Sequence, residues 1–373
     1  MRSLTKLLFG AASAITLLTS AAVAGAIAPN PNPISFDAGF GKVVVNGQLS
    51  GLAFYQSNAT HYAPGDASSY LDLDNALISV QKSDGMFQFY VEGGLYSFPT
   101  VGNPYLKSNL TNSAFGAIPV AYGKVQLDDN FSIQAGKLTT LIGAEYGFTP
   151  QNIDIERGLL WWQEPLVSRG VQVNYADGPL SISLSWNDGF YTNVWNTGSG
   201  LISYAIDSSN TIAFDASITP DVGNRLFEHR RPGQQIYDLM YTYSDAPWTL
   251  APYVQYQNYN DHPSYSCGGC DLSSGSNWGV GVLASYQLDP NWSLNGRFEY
   301  EAASGGSPDF WGLEYGPSSK AWSVTVTPTY QDGIFFARGE VSYTGLSDFF
   351  IGAGQNYDKD NQFRAMVETG IVL

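Results

Sequence analysis

The feature that most constrains the fold is a period-two alternation of apolar and polar residues, which recurs along most of the chain. In "WSVTVTPTYQ", which begins at Trp322, apolar or aromatic residues alternate with serine and threonine. "PLSISLSWND" from Pro179 and "NWGVGVLASYQL" from Asn277 repeat the pattern. Such alternation is typical of β-strands with two chemically different faces, and it fits a sandwich as well as a barrel.

The lengths of the connections separate these two folds. Every second connection is a tight turn, such as "SDG" at 83, "DG" at 177 and "DPN" at 289. The connections between these turns are long, about 10 to 30 residues each, as in a transmembrane β-barrel with short periplasmic turns and long external loops. We therefore predict an all-β antiparallel barrel with strands at 42–56, 71–82, 85–97, 118–128, 130–138, 168–177, 179–188, 200–207, 211–219, 234–244, 247–259, 276–288, 290–301, 318–331, 333–343 and 362–373.

The predicted count of about sixteen strands is even, which brings both ends of the barrel to the periplasmic side. The weakest pair lies in "LISYAIDSSNTIAFDASI" at 201–218. Without that pair the count would be fourteen, and one further hairpin would make it eighteen.

Aromatic residues provide an independent test of the barrel. On three strands an outward Trp, at 278, 292 or 322, precedes an outward Tyr by eight residues. Eight residues at about 3.4 Å, tilted by roughly 40°, rise about 21 Å along the membrane normal. This is close to the spacing of two aromatic girdles around an apolar band of about 25 Å.

The N-terminus predicts export. Arg2 and Lys6 precede an apolar stretch at 7–18, and "AVA" at 22–24 is a cleavage site for signal peptidase. We expect residues 1–24 to be a signal peptide, residues 25–41 a periplasmic segment, and residues 42–373 the barrel.

Composition and charge narrow the class of protein. Without Arg2 and Lys6 the chain carries 15 basic and 33 acidic residues, which argues against binding to nucleic acid. Charged residues make up 13% of the chain and aromatic residues 14%, whereas soluble domains carry about 25% charged residues. No later apolar run approaches the roughly 20 residues of a membrane helix. The sequence therefore predicts the outer membrane of a Gram-negative bacterium.

Neither an enzyme nor a cofactor is expected. The three histidines, His61, His229 and His262, all fall in predicted external loops, and no GxSxG or HExxH motif occurs. The stronger alternative to a channel is a structural or adhesive outer-membrane barrel that does not conduct. A through-channel would favour transport, and a filled interior would favour that alternative.

Residues 136–190 carry a family resemblance. "GKLTTLIGAEY" and "SRGVQVNYADG" with its following hairpin, and later "LISYAIDSSNTIAFDASI", resemble the OmpL-like putative β-barrel porin family. The resemblance implies an outer-membrane porin through which small hydrophilic solutes or ions diffuse. Expected partners are those solutes, outer-membrane lipid and lipopolysaccharide, and the chain could assemble as a homotrimer.

The strand faces opposite the apolar ones should line the lumen of such a barrel. These residues either set the selectivity of the pore or neutralise one another across neighbouring strands. The lining candidates that carry charge are Lys42, Glu92, Lys124, Asp215, Asp238, Arg297, Glu299, Arg338, Glu340, Arg364 and Glu368.

The longest connection, residues 139–167, is the candidate for a constriction. In general porins the third external loop folds into the barrel, so the resemblance implies the same here; otherwise the loop is an external tip. If it folds in, its acids would face the arginines of the wall and set a transverse field. Its charged candidates are Glu145, Asp154, Glu156, Arg157 and Glu164. The excess of acids predicts a modest preference for cations.

Two further features lie in predicted external loops. The basic cluster "RLFEHRRPG" at 225–233 could bind lipopolysaccharide phosphates or simply be solvated. The only cysteines, Cys267 and Cys270, would form a disulfide in an oxidising compartment, with free thiols or metal binding as the alternatives.

Overall fold

The computed structural model describes residues 26–59, 67–220, 233–260, 274–305, 314–349 and 359–373. The short strand β1, Ile34–Asp37, precedes sixteen longer strands in the described residues. These are β2 Lys42–Gln56, β3 Ser69–Lys82, β4 Phe87–Tyr96, β5 Val120–Gln126, β6 Phe131–Thr139, β7 Val167–Asp177, β8 Leu180–Asn187, β9 Thr197–Ala205, β10 Asn210–Ile218, β11 Gln234–Asp245, β12 Trp248–Tyr259, β13 Gly275–Gln287, β14 Trp292–Gly305, β15 Lys320–Asp332, β16 Phe335–Ser347 and β17 Asn361–Val372.

The sixteen longer strands form one closed antiparallel barrel. Each pairs with the next along the chain, and β17 pairs with β2 from Arg364 opposite Gln56 to Val372 opposite Gln48. The predicted all-β barrel of sixteen strands is therefore confirmed, including the pair that the sequence supports least. Strand β1 was not predicted; it pairs with the first residues of β2, below the end of β17.

The described residues contain one α-helix, α1 at Ser108–Phe115, and two short 3₁₀ helices at Thr149–Gln151 and Trp161–Gln163. In that part of the chain no helix is long and apolar enough to cross a membrane. All three helices lie in the connections between strands, so the wall of the barrel is built from strands alone.

The outer face of the wall is apolar and carries aromatic pairs at two levels. At the loop end, the rings of Trp278 and Tyr300 lie 5.5 Å apart between centroids. At the turn end, the rings of Trp292 and Tyr330 lie 5.1 Å apart. The eight-residue spacing thus places the Trp and the Tyr of one strand at opposite ends of that strand. At each end the Trp of one strand packs against the Tyr of the adjacent strand, which gives the two aromatic girdles of a membrane barrel.

The buried core lies inside the barrel. Along β14 and β16 the inward residues are buried, and most of the outward residues between them are exposed. Strand β3 changes parity at a bulge, because Ser50 pairs with Asn75 while Gly51 pairs with Leu73. Asp74 is the extra residue, and its side chain is fully buried.

Candidate functional site

The inward residues predicted from parity fall into two groups. Nine of them are buried on the inner face of the wall, in two clusters and one isolated position. Lys42 is exposed instead, because it begins β2 at the turn end, where its backbone N–H lies 3.4 Å from Asp84 Oδ2. Lys124 is half-buried towards that same end. The nine buried residues are Glu92, Asp215, Asp238, Arg297, Glu299, Arg338, Glu340, Arg364 and Glu368.

The long connection between β6 and β7, residues 140–166, fills the lumen. All five charged residues singled out in it are buried, with exposed fractions between 0% and 4%. We call this segment the lumen loop. It packs against the wall through carboxylates and arginines on one side and mainly through apolar side chains on the other.

On the first side, Arg297 of β14 ties the lumen loop to the wall. Its Nη1 donates to Glu145 Oε1 and to the Glu156 carbonyl, both at 2.7 Å. Asp154 Oδ2 lies 3.6 Å from Nη1, and Glu299 Oε2 lies 3.2 Å from Nε. One guanidinium therefore neutralises carboxylates from both the loop and the wall, in a site that solvent does not reach.

Arg338 and Arg364 extend this contact onto β16 and β17. Arg338 donates to the carbonyls of Asn152 and Thr149, each at 3.0 Å, and its Nε donates to Glu368 Oε2 at 3.0 Å. Arg364 forms an ion pair with Glu156. Both guanidinium groups thus bind the loop, and Arg338 also pairs with a neighbouring strand.

Two wall carboxylates bind the backbone of the lumen loop. Glu340 accepts hydrogen bonds from the N–H groups of Ile155 and Glu156, the second at 3.0 Å. Glu299 accepts from Leu159 at 2.8 Å and from residue 160 at 3.2 Å. These bonds satisfy buried N–H groups that a non-helical segment would otherwise leave unpaired, and they fix the height of the loop in the barrel.

Arg157 acts within the lumen loop itself. Its guanidinium donates to the carbonyls of Tyr146, Gly147 and Ile155 and lies 5.7 Å from the centre of the Trp161 ring. It therefore holds the loop in its compact shape and makes no ion pair with a wall carboxylate among the described residues.

A second loop, residues 97–119, also enters the lumen and was not predicted. Arg364 donates to the Thr100 carbonyl at 2.6 Å and to the carbonyl of Asn103. Asn103 in turn donates to Glu314. The segment has no acidic residue and only one basic residue, Lys107, so its charge does not mark it as a loop of the lumen.

Four buried carboxylates were also missed. Asp188 follows the end of β8 and pairs with Arg169 near the rim of the barrel. Glu301 ends the predicted strand 290–301 and continues the inward face of Arg297 and Glu299 on β14, so parity alone would have found it. Asp74 was hidden by the bulge in β3, which alternation does not reveal. Glu314 lies in a connection, where parity gives no guidance.

On the second side, the lumen loop meets an apolar wall with an acidic group in it. Leu141, Ile142 and Leu160 of the loop belong to one buried cluster with inward residues of β9 to β13. Asp215 of β10 and Asp238 of β11 lie on this wall and are buried. Arginine contacts of the kind seen on β14 to β17 are absent here among the described residues.

The loop carboxyls have perturbed pKa values. Burial raises the pKa of Glu145 to about 7, although Arg297 opposes the shift. Burial also raises the pKa of Glu164 well above its usual range, and the nearby Asp238 and Glu145 add to the effect. Both groups therefore take up protons at a higher pH than exposed carboxyls do.

Buried charge in the lumen is strongly unbalanced. Among the described residues, fourteen acidic side chains are buried, against five basic ones. Two of these charges pair close to the barrel rims, Lys82 with Asp84 and Asp188 with Arg169. When these carboxyls are ionised, the remaining interior charge is negative, and its potential attracts cations.

Several sequence features lie outside the described residues. These are the signal peptide at 1–24, the basic cluster at 225–233 apart from its last residue, the cysteines at 267 and 270, and all three histidines. Their predicted roles stay predictions.

Comparison with known proteins gives a family and a fold. Residues 42–373 match the family described as "Putative beta-barrel porin-2, OmpL-like". None of the curated proteins matches the chain.

Three solved structures illustrate the fold. The outer membrane channel DcaP of Acinetobacter baumannii is 13% identical, with a TM-score of 0.60 over 90% of this chain and 99% of that one. Salmonella typhi OmpF in complex with daunomycin is 13% identical, with a TM-score of 0.58 over 91% and 100%. The trimer form of Vibrio cholerae OmpT, an outer membrane protein, is 10% identical, with a TM-score of 0.59 over 89% and 99%. At these identities the likeness concerns the fold.

Proposed function

The chain belongs to the putative beta-barrel porin-2, OmpL-like family, and from this premise we propose that it is a channel for small hydrophilic solutes and ions that prefers cations. A porin family and a closed sixteen-strand barrel place the chain in the outer membrane. The proposal involves no catalytic step and no cofactor.

The observation that carries the cation preference is the imbalance of fourteen buried acids against five buried basic residues. In a narrow passage with low-dielectric walls, fixed negative charge raises the local concentration of cations and lowers that of anions. The buried arginines neutralise only part of this charge, because the acidic residues outnumber the basic ones.

A second candidate, a barrel that does not conduct, is favoured by the filled lumen. Around the waist the inward residues of the wall are buried against the two loops, from Leu52 on β2 to Glu368 on β17. Conduction through this waist therefore needs some movement of the lumen loop away from the wall. In the proposed channel the lumen loop makes this movement, whereas in a structural barrel it stays against the wall.

The cation preference is tested by the reversal potential of the reconstituted protein in a potassium chloride gradient. We expect a reversal potential with the sign of a cation-preferring pore. We also expect the preference to weaken as the pH falls from about 8 to about 5, because carboxyls with raised pKa values become neutral over this range. A reversal potential of the anion-preferring sign would contradict the proposal.

The proposed partners follow from the same premise. Solutes are expected to contact the lumen, and lipid of the outer membrane is expected to contact the aromatic belts. Lipopolysaccharide is the proposed partner of the basic cluster. A homotrimer stays a proposal; one of the matched structures is described as a trimer form.

A further inference from the structure

The two sides of the lumen loop are held in different ways. Towards β14 to β17, arginines bind it through ion pairs and backbone carbonyls. Towards β10 to β12, the polar contacts come from the carboxylate of Asp215 and the amides of Gln234 and Gln255, within an apolar wall. If the loop moves, the second side is where it separates, because no buried ion pair has to be broken there.

Three carboxylates meet on that second side. Asp215 and Asp238 are directly opposite each other across β10 and β11, and Asp238 is directly opposite Gln255 on β12. Glu164 of the lumen loop lies over this row and accepts a hydrogen bond from Gln255 Nε2 at 3.0 Å. Asp215 Oδ2 accepts one from the Gly143 N–H at 3.2 Å. We call Glu164, Asp215 and Asp238 the acidic triad.

The acidic triad has few partners for its oxygens. Glu164 Oε2, Asp215 Oδ1 and both oxygens of Asp238 are buried and accept no hydrogen bond. Asp238 is only 1% exposed, and it lies on the inner wall beside the other two carboxylates. No arginine or lysine of the described residues forms an ion pair with any of the three.

The carboxylates of the acidic triad need a positive charge nearby when they are ionised. Like charges directly opposite each other across two strands repel, and burial strengthens the repulsion. The charge must be relieved by protons or by a cation. The rest of the lumen shows the second solution, since the carboxylates near β14 surround the guanidinium of Arg297.

A small polar cavity lies beside the two ends of the lumen loop. Ser168, Ser185, Asn187 and Ser199 of β7 to β9 line it, together with residues at both ends of the lumen loop. Ser199 contacts Ser217 at 3.0 Å, and Ser217 is two residues from Asp215 on the same face of β10. The cavity thus offers hydroxyl and amide groups where the loop leaves the wall, linked through Ser199 and Ser217 to the strand that carries Asp215.

We propose that the acidic triad is the site that holds permeating cations at the waist, and that cations pass between the lumen loop and the β10–β12 wall. This inference rests on the proposed function. The expected ligands are alkali-metal ions and the ammonium groups of small solutes. Within the described residues the acids are not arranged as the ligand set of a resident metal. The triad therefore attracts cations by charge and releases them again.

The test compares the double variant Asp215→Asn/Asp238→Asn with the matched control Glu92→Gln. Glu92 is a buried inward carboxyl of β4 that accepts a hydrogen bond from Tyr90 and forms no ion pair with the lumen loop in the described residues. The readout is the potassium-to-chloride permeability ratio of reconstituted channels in a potassium chloride gradient. Removing two adjacent charges at the passage should lower this ratio by at least about threefold. The control should change it much less.

Two outcomes overturn the inference while leaving the proposed function intact. One is an equal fall in the ratio for Glu92→Gln, which would mean that charge anywhere in the lumen suffices. The other is a cation-preferring double variant with an unchanged ratio. If wild-type channels never open, the proposed function fails as well, which is a distinct result. Should the double variant not fold, Glu164→Gln provides the same readout from the loop, with the barrel wall unaltered.

Discussion

Replacing residues 141–164 by a short Gly-Ser linker should raise the single-channel conductance by at least about fivefold. The lumen loop occupies the waist of the barrel, where its charged residues are at most 4% exposed. A sixteen-strand barrel without an inserted loop encloses an aqueous channel. Part of the lumen stays narrow, because loop 97–119 still contacts Arg364. The measurement is single-channel recording in planar bilayers, side by side with the unaltered protein.

The control for this excision is the state of the barrel itself. Circular dichroism and the gel mobility of the unheated protein should show that the excised chain keeps its strand content and folded form. If that folded barrel conducts no better than the unaltered protein, the lumen loop does not close the pathway. The filled waist would then have to be explained by loop 97–119 alone.

The variant Arg297→Gln should lose about 3–5 kcal/mol of unfolding free energy, because it leaves buried carboxylates without their cation. Glu145, Asp154 and Glu299 all lie within 4 Å of this guanidinium, and all are buried. The measurement is equilibrium unfolding by urea in lipid vesicles, followed by tryptophan fluorescence. Protease cleavage within the lumen loop should increase in parallel.

A matched control separates this loss from a general effect of removing a positive charge. Lys320 forms an ion pair with Asp348 at 3.2 Å, and both side chains are at least half exposed. Lys320→Gln should therefore cost less than about 1 kcal/mol. Adding Glu145→Gln to Arg297→Gln should restore part of the loss. Equal losses in Arg297→Gln and Lys320→Gln would contradict the anchoring role of Arg297.

The barrel could be predicted because each strand faces lipid on one side and the lumen on the other. Lipid requires an apolar outer face, and the polar inner face then follows by parity, as at Arg297 and Glu299 on β14. Turn formers such as Asp177-Gly178 mark the other boundary of each hairpin. Prediction fails where parity is broken locally, as at the bulge that buries Asp74.

The contacts of the site were much less predictable. Alternation shows that Asp215 and Asp238 share a face with other lumen residues, but it does not give the register that makes them directly opposite. The partners of Arg338 include backbone carbonyls at 149 and 152, which carry no signal in the side-chain sequence. The path of the lumen loop followed from family resemblance and not from its own residues.

The central claim is that this barrel conducts, and recording from the purified protein in a planar bilayer tests it most directly. We predict stepwise current openings whose reversal potential in a salt gradient has the sign of a cation-preferring pore. A protein that is folded and inserted, yet gives no steps at any applied voltage, would contradict the claim and leave a structural barrel with a sealed waist.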